Sequence, residues 1–310
     1  MSQIEKAVIA IITCRRPQGL SRLLQSLQQQ QVGSLAVDVL VVDNACQPEI
    51  AELVAEQSKH GPFTIHYQQE ATPGIVAARN KCVQWFLQHD HEALVFIDDD
   101  EWPAEPDWLE RLVKAQQRYQ TDIVTSHVIS VGEPGTPEWA TQLLYGENRL
   151  KEGQAIKVFY TNNLLITRKV LTRVQPAFDA RFAMTGSSDY HFALRATQAG
   201  FTACYTNAPV IEEFPKSRAT FRWFMRRGFR SGIGYSRSHL FEERLHKALL
   251  RCLFMAAVRV GRGILKLLHG ALTFNRTRCT DGLFRFASAL GTVVGLFGIT
   301  LDEYKTIHGK

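Results

Sequence analysis

The residues best suited to chemistry stand together at Asp98-Asp99-Asp100-Glu101. The apolar, partly β-branched run Leu94-Val-Phe-Ile precedes them and reads as a short buried strand. Pro103 follows, and its missing N–H should prevent that strand from continuing. In open α/β sheets, ligand crevices lie at the carboxyl ends of such strands. Adjacent carboxylates there supply the hard oxygen donors that a divalent cation such as Mg2+ or Mn2+ requires. A solvated acidic turn would look similar locally; the strand in front of it favours a metal–nucleotide site.

Two more strand ends carry polar groups. Ala7–Thr13 is an apolar run closed by Thr13, Arg15 and Arg16, and Val37–Val42 stops at Asp43-Asn44. Helices should separate these strands. Pro17 opens one that is apolar at Leu20, Leu23, Leu24 and Leu27, and Pro48–Ser58 forms another. A third strand at Phe63–Tyr67 and a helix over Ile75–Leu87, opened by Pro73-Gly74, lead back to the Asp98 strand. Strands alternating with helices of this length build right-handed βαβ units on a mainly parallel, Rossmann-like sheet with helices on both faces. If the three strands are neighbours, their polar ends meet in one crevice.

The second half reads as helix Asp107–Tyr119, strand Asp122–Val131, a Gly-, Pro- and charge-rich flexible loop over residues 132–157, and strand Thr161–Thr167 with two asparagines at its start. Ser187 or Ser188 is placed to cap a helix that carries Asp189 in its first turn and Arg195 further on. Val210–Phe214 is a late strand. Beyond it Arg226, Arg227 and their aromatic neighbours interleave on a helix. His191 and His239 stand alone, which suits core or surface residues better than metal ligands.

Charge is unevenly spread. The net +6 conceals 16 Lys+Arg against 3 Asp+Glu in residues 215–285, a balance of +13 joined to a body of −7. Such a tail suits anionic lipid, nucleic acid or phosphorylated substrates. Residues 248–272 mix apolar and basic side chains, and Phe286–Leu301 is an uncharged run of 16, short of the roughly 18–20 residues a spanning helix needs. Apolar faces with basic flanks fit helices lying in a membrane interface, with a packed subdomain or a homo-oligomer contact as the alternative. The six scattered cysteines and the absence of an apolar leader at the start lead to an expectation of a reduced, cytoplasmic protein, peripheral on the inner face of the membrane.

Taken in order, Thr13-x-Arg15-Arg16-Pro17, Val41-Val-Asp43-Asn44, Pro73-Gly74-x4-Arg79-Asn80 and Phe96-Ile-Asp98-Asp-Asp100-Glu101 resemble family 2 glycosyltransferases, nearest to bacterial exopolysaccharide enzymes of the succinoglycan type. The resemblance covers roughly residues 5–235 and implies a GT-A fold and an inverting, metal-dependent hexosyl transfer. It implies a nucleotide-sugar donor, with UDP favoured, and a glycan or lipid-linked acceptor. Thr13 and the Arg15 region would border the base, Asp43 would hold the base or ribose, and Arg79 would approach the base or diphosphate. Asp98 would face the ribose and Asp100 the metal, with Asp99 as an alternative ligand. Asp189 matches the family's general base, although Ser188 stands where the family usually has Glu. Arg226 and Arg227 fall in the segment that borders the diphosphate and acceptor. The expected division is 1–240, the catalytic domain with halves 1–105 and 106–240, followed by a helical region 241–310.

Two other classes compete. A nucleic-acid-binding protein would explain the basic tail, but no DNA- or RNA-binding motif accompanies it, and the aspartates would repel phosphate. A sugar-nucleotide-forming nucleotidyltransferase would share fold and metal, yet normally opens with a Gly-rich phosphate loop where this chain has Arg15-Arg-Pro-Gln-Gly.

Overall fold

Strands β1 (Lys6–Thr13), β2 (Ala36–Asp43), β3 (Thr64–Gln69) and β4 (Ala93–Asp98) form where the β-branched runs stand. The computed structural model describes residues 3–59, 61–144 and 150–301. β6 (Ile123–Thr125), β8 (Ala155–Ile156), β9 (Asn163–Thr167) and β10 (Ala203–Tyr205) complete an eight-stranded sheet in the order β3-β2-β1-β4-β9-β6-β10-β8. The first four strands pair in parallel, and β9 runs antiparallel to both β4 and β6.

Both faces of this sheet are covered, which is why its central strands are apolar without alternation. Ile9, Ile11, Val41 and Val95 point towards helices α1 (Pro17–Leu27), α2 (Pro48–Gln57) and α4 (Trp108–Tyr119). Val8, Ala10, Val42 and Phe96 point the other way, towards α3 (Ile75–Gln88), α6 (Arg168–Arg173) and α7 (Ser188–Gln198). The expected three-layer α/β architecture is therefore present.

A second sheet, in the order β5-β11-β7, consists of β5 (Glu101–Pro103), β11 (Val210–Phe214) and β7 (Val128–Gly132). It accounts for two departures from the sequence expectations. Pro103 does not keep the chain out of strand structure, because β5 is an edge strand and an edge tolerates a missing N–H. The single strand expected at Asp122–Val131 is two, β6 and β7, which part at Ser126-His127 because each pairs in a different sheet. The expected flexible loop of 132–157 also contains a helix, α5 (Glu138–Leu144), with Ala140 buried near Phe214 and Phe224. Residues 145–149 of that stretch lie outside the described residues.

The C-terminal third is helical: α8 (Phe221–Glu242), α9 (Leu245–Leu272) and α10 (Arg276–Gly295). Helix α10 lies between the other two, so much of the uncharged run from Phe286 is interior, with Ser288, Ala289, Gly291, Thr292 and Gly295 buried. Glycines allow the backbones to approach. A Cβ on Gly291 would stand 1.9 Å from the Phe229 carbonyl oxygen, and one on Gly232 would stand 2.1 Å from that of Ser288. On the other side of α10, Gly263 and Gly282 face each other's carbonyls.

Two glycine substitutions should therefore act in opposite directions. Gly291→Ala must push α8 and α10 apart, an overpacking that costs about 1–3 kcal/mol. Gly261→Ala, which meets nothing within 4 Å in the exposed middle of α9, should stabilise by up to about 1 kcal/mol through helix propensity. Denaturant melts of both variants check this; equal behaviour would mean that α8 and α10 are not in close contact.

Candidate active site

The three polar strand ends meet. In the register of the parallel strands Thr13 lies beside Asp43, and Ile12 lies beside Asp98, so β2, β1 and β4 end on one line. The chain passes outward from β1 to β2 and β3, then returns to β4 on the other side of β1. That reversal of strand order opens a crevice at the carboxyl ends.

After Asp98 the chain turns sharply through Asp99 and Asp100 and leaves for the second sheet at Glu101. The turn is gripped from β1 and α1. Thr13 Oγ1 donates to Asp99 Oδ2 at 2.8 Å. Arg16 Nη1 reaches Asp99 Oδ1 at 3.1 Å and Asp100 Oδ2 at 2.7 Å, bridging the two carboxylates. Helix α1 can come this near because Gly19 has no side chain; a Cβ there would stand 2.5 Å from the Asp99 carbonyl oxygen. Glu101, wholly buried, accepts from the Asp98 amide and from Asn162 Nδ2, both at 3.2 Å.

The field is strongly acidic. Burial pushes the Asp98 carboxyl up to about 6; Asp100 and Asp189 add to the shift, and Arg79 and Arg16 oppose it. Burial and the neighbouring Asp100 carry Asp99 up to about 7, against the pull of Arg16 and Thr13. Among the described residues the Asp98 carboxylate accepts no hydrogen bond. Among the described residues no group of three His, Cys, Asp or Glu side chains is disposed to hold a metal ion. Mg2+ usually takes one or two carboxylates and completes its shell with substrate phosphates and water, and Asp100 and Asp99 are the carboxylates at this turn that could serve it.

Asp189 approaches from the opposite half. Gly186 and Ser187 both adopt left-handed backbone, φ 71° and 69°, and turn the chain into α7. The expected serine cap is not made: Ser187 stands at the N-cap position in left-handed backbone, where no side chain caps α7, and Ser188, the first helical residue, accepts from Arg79 Nη1 at 3.1 Å through its Oγ. Arg79 is buried, stacks over Phe178 at 5.5 Å, and thereby ties α3 to the start of α7. Gly234 of α8 closes over the turn, where a Cβ would stand 2.0 Å from Ser187 Oγ. Asp189, half-buried in the first turn, acts electrostatically on Asp98 and on Tyr160.

The other expected site residues divide. Asp43 is fully buried, accepting from the amides of Ala45 and Gln47 at 2.8 and 2.6 Å and from the Tyr67 hydroxyl at 3.1 Å. Arg15 is exposed at φ 59°, and its neighbour Arg16 makes the carboxylate contacts. Arg227 stacks over Trp223 at 5.2 Å and shares the field of Tyr160 with Asp189, whereas Arg226 is exposed. His191 pairs with Glu242 at 2.7 Å, and His239 with Glu243 and Tyr190, so both serve packing. Sequence reasoning gave no separate role to Arg16, Glu101, Tyr160 or Asn162. The first two stood inside motifs already singled out, and Asn162 began a strand marked by its paired asparagines.

Comparison with known proteins bears on the family and the fold. The family model for glycosyl transferase family 2 matches residues 8–175. The succinoglycan biosynthesis protein ExoM of Rhizobium meliloti (strain 1021) is 30% identical over 247 residues, 77% of this chain and 76% of that protein. Among solved structures, a mannosyltransferase from Pyrobaculum calidifontis, in complex with GDP-Man and Mn2+, superposes with a TM-score of 0.63 at 18% identity, covering 94% of this chain and 88% of that one. S. aureus TarS 1–349 in complex with UDP-GlcNAc gives 0.54 at 13% identity, covering 93% and 91%. These likenesses establish the GT-A fold expected for the α/β sheet and its crevice. With the family model spanning more than half of the sequence, the chain belongs to glycosyl transferase family 2.

Proposed function

We propose that this transferase moves a sugar, with inversion, from a UDP-sugar to a hydroxyl of a glycan or lipid-linked acceptor in bacterial exopolysaccharide synthesis. The observation that carries the reading is the convergence of Asp98, Asp100 and Asp189 on one crevice, where Asp189 raises the proton affinity of Asp98 from the far half of the domain. The likeness to ExoM supports the polysaccharide pathway, and the nucleotide sugars bound to the solved relatives support the donor class. Family membership favours glycosyl transfer over nucleotidyl transfer or nucleic-acid binding.

In the single displacement, the acceptor oxygen forms a bond to the anomeric carbon as the bond from that carbon to the diphosphate breaks. The nucleoside diphosphate leaves with the electron pair, and the acceptor proton passes to the Asp189 carboxylate. Attack comes from the face opposite the leaving group, so an α-linked donor gives a β-glycoside. Asp98 offers its unpartnered carboxylate to the ribose, and Asp43 orders the β2 turn against the base. Arg79, buried beside Ser188, holds the start of α7 in register with the donor half. A divalent cation, Mn2+ or Mg2+, held by Asp100 with Asp99 as the alternative, would supply neutralisation of the diphosphate's developing charge. Thr13 and Arg15 border the base, and Arg227 with Arg226 borders the diphosphate and acceptor. The catalytic unit is the expected 1–240; of the helical extension expected at 241–310, residues 302–310 lie outside the described residues, and the extension keeps the enzyme on the inner face of the cytoplasmic membrane.

Asp100→Ala should remove the Mn2+-dependent part of UDP binding while leaving the fold intact, since Asp100 lies in a half-exposed turn. Calorimetry with and without chelator measures this; equal affinities in wild type and variant would remove Asp100 from the metal site.

Asp189→Asn keeps the shape of the side chain but cannot take a proton. Turnover should fall about 10²–10⁴-fold, with UDP-sugar binding and melting temperature close to wild type. A turnover number near wild type would leave Asp189 a purely structural place at the head of α7.

A further inference from the structure

Most of the large apolar side chains that stand far out into solvent belong to α9 and α10 rather than to the sheet domain. On α9 they form one row. Leu250, Phe254, Leu265, Leu268 and Leu272 recur at helical spacing, with Ala257 and Gly261 continuing the row between them. They are 68%, 69%, 67%, 58% and 81% exposed, so none is a partly covered core residue. The opposite side of the same helix faces inward: Arg259 stacks on Tyr235 at 4.8 Å and donates to Thr292 and to the Ser288 carbonyl.

A basic cleft runs beside the row. Arg262, Lys266 and His269 of α9 and Arg285 of α10 line a surface cavity of about 370 Å³, with Leu265 as its apolar member. One acid lies among them: Asp281 pairs with Lys266 at 3.2 Å and with Arg285 at 3.1 Å. His269 receives Arg278 at 2.7 Å. Arg262 forms no ion pair among the described residues. Positive charge therefore exceeds negative, and one guanidinium fork is uncommitted at the edge of an apolar stripe.

We infer that this face docks on a bilayer containing anionic phospholipid, the α9 row lying among the acyl chains and the Arg262–Lys266–His269–Arg285 cleft receiving a headgroup phosphate. The inference deepens the proposal of a membrane-based glycosyl transfer and rests on it. Charge complementarity selects the occupant. A second copy meeting this face two-fold would bring another basic cleft rather than an acidic one, whereas an anionic headgroup brings phosphate and chains together in the order that the cleft and the row present. No described helix is long and apolar enough to cross a membrane, so α9 lies along the interface. Arg259 on the inner side of the same helix acts electrostatically on Tyr160 and Tyr190, and Asp189 acts on Tyr160, so the helix that docks is also one that borders the acceptor side of the crevice.

The test is co-sedimentation of the full chain with phosphatidylcholine vesicles, with and without phosphatidylglycerol, over a salt series. Wild type should pellet with the anionic vesicles. Arg262→Glu exchanges one attraction for one repulsion and should weaken binding about 25-fold at low salt. Phe254→Ser and Leu265→Ser should each weaken it about tenfold or more, including the part that salt does not remove. All three positions face outward, so melting temperatures should stay at the wild-type value. Equal pelleting with neutral vesicles, or variants that pellet like wild type, would overturn the docking face. So would a wild-type dimer in sedimentation equilibrium that the leucine and phenylalanine variants dissociate. Thermal stabilisation by a UDP-sugar is read in parallel: its absence counts against the transferase reading, and its presence without vesicle binding counts against the membrane face alone.

Discussion

Repulsion among carboxylates at the end of β4 is the constraint around which the rest is built. Asp98, Asp99, Asp100 and Glu101 follow one another where a buried strand stops, and burial alone drives at least three of them towards the protonated form. Their charge is tolerable only where counter-charge and hydrogen-bond donors are supplied at short range. Thr13 and Arg16, from the end of the adjacent strand, supply them for Asp99 and Asp100, and Gly19 removes the bulk that would keep the donors away. Asp98 feels the charge of Arg79 and Arg16, but among the described residues its carboxylate accepts no hydrogen bond, which leaves it open to a polar ligand.

The far side of the crevice is held by a different device. Asp189 stands on a left-handed turn that could relax were it not clamped from both sides, by Arg79 on Ser188 and by α8 on Ser187. Helix α8 is in turn fixed by α10, through contacts that only glycine permits. The position of the expected base thus depends on helix packing some distance away. The C-terminal helices are part of the framework of the crevice, and they also present the exposed row on α9. Helix α9 carries Arg259 on its inner side and apolar residues on its outer side, so one element faces both the acceptor half and the surroundings.

Much of this was legible before any coordinates. The β-branched runs, the helix-opening prolines and the ordered motifs located the first four strands, the crevice and its aspartates within a residue or two. Strands buried on both faces and helices with one apolar side leave strong periodic signals. The second sheet was not legible. Asp122–Val131 reads as one continuous strand, and Pro103 reads as a terminator, because nothing local records that β5 and β7 pair with β11 about a hundred residues away.

Side-chain allegiance was the other thing the chain order could not decide. Arg15 and Arg16 are neighbours of identical type, yet a positive φ at Arg15 turns it outward and leaves Arg16 over the aspartates. Ser187 or Ser188 looked like a helix cap and Ser188 instead binds Arg79; the uncharged run from Phe286, open to a membrane face or a packed subdomain, buries its small residues against the neighbouring helices while Leu290 and Phe297 stay exposed. Residue types and periodicity determined which groups were available and which strands would carry them. Only tertiary packing decided which charges meet, because a carboxylate's partner is chosen by proximity and burial in three dimensions, and sequence spacing carries neither.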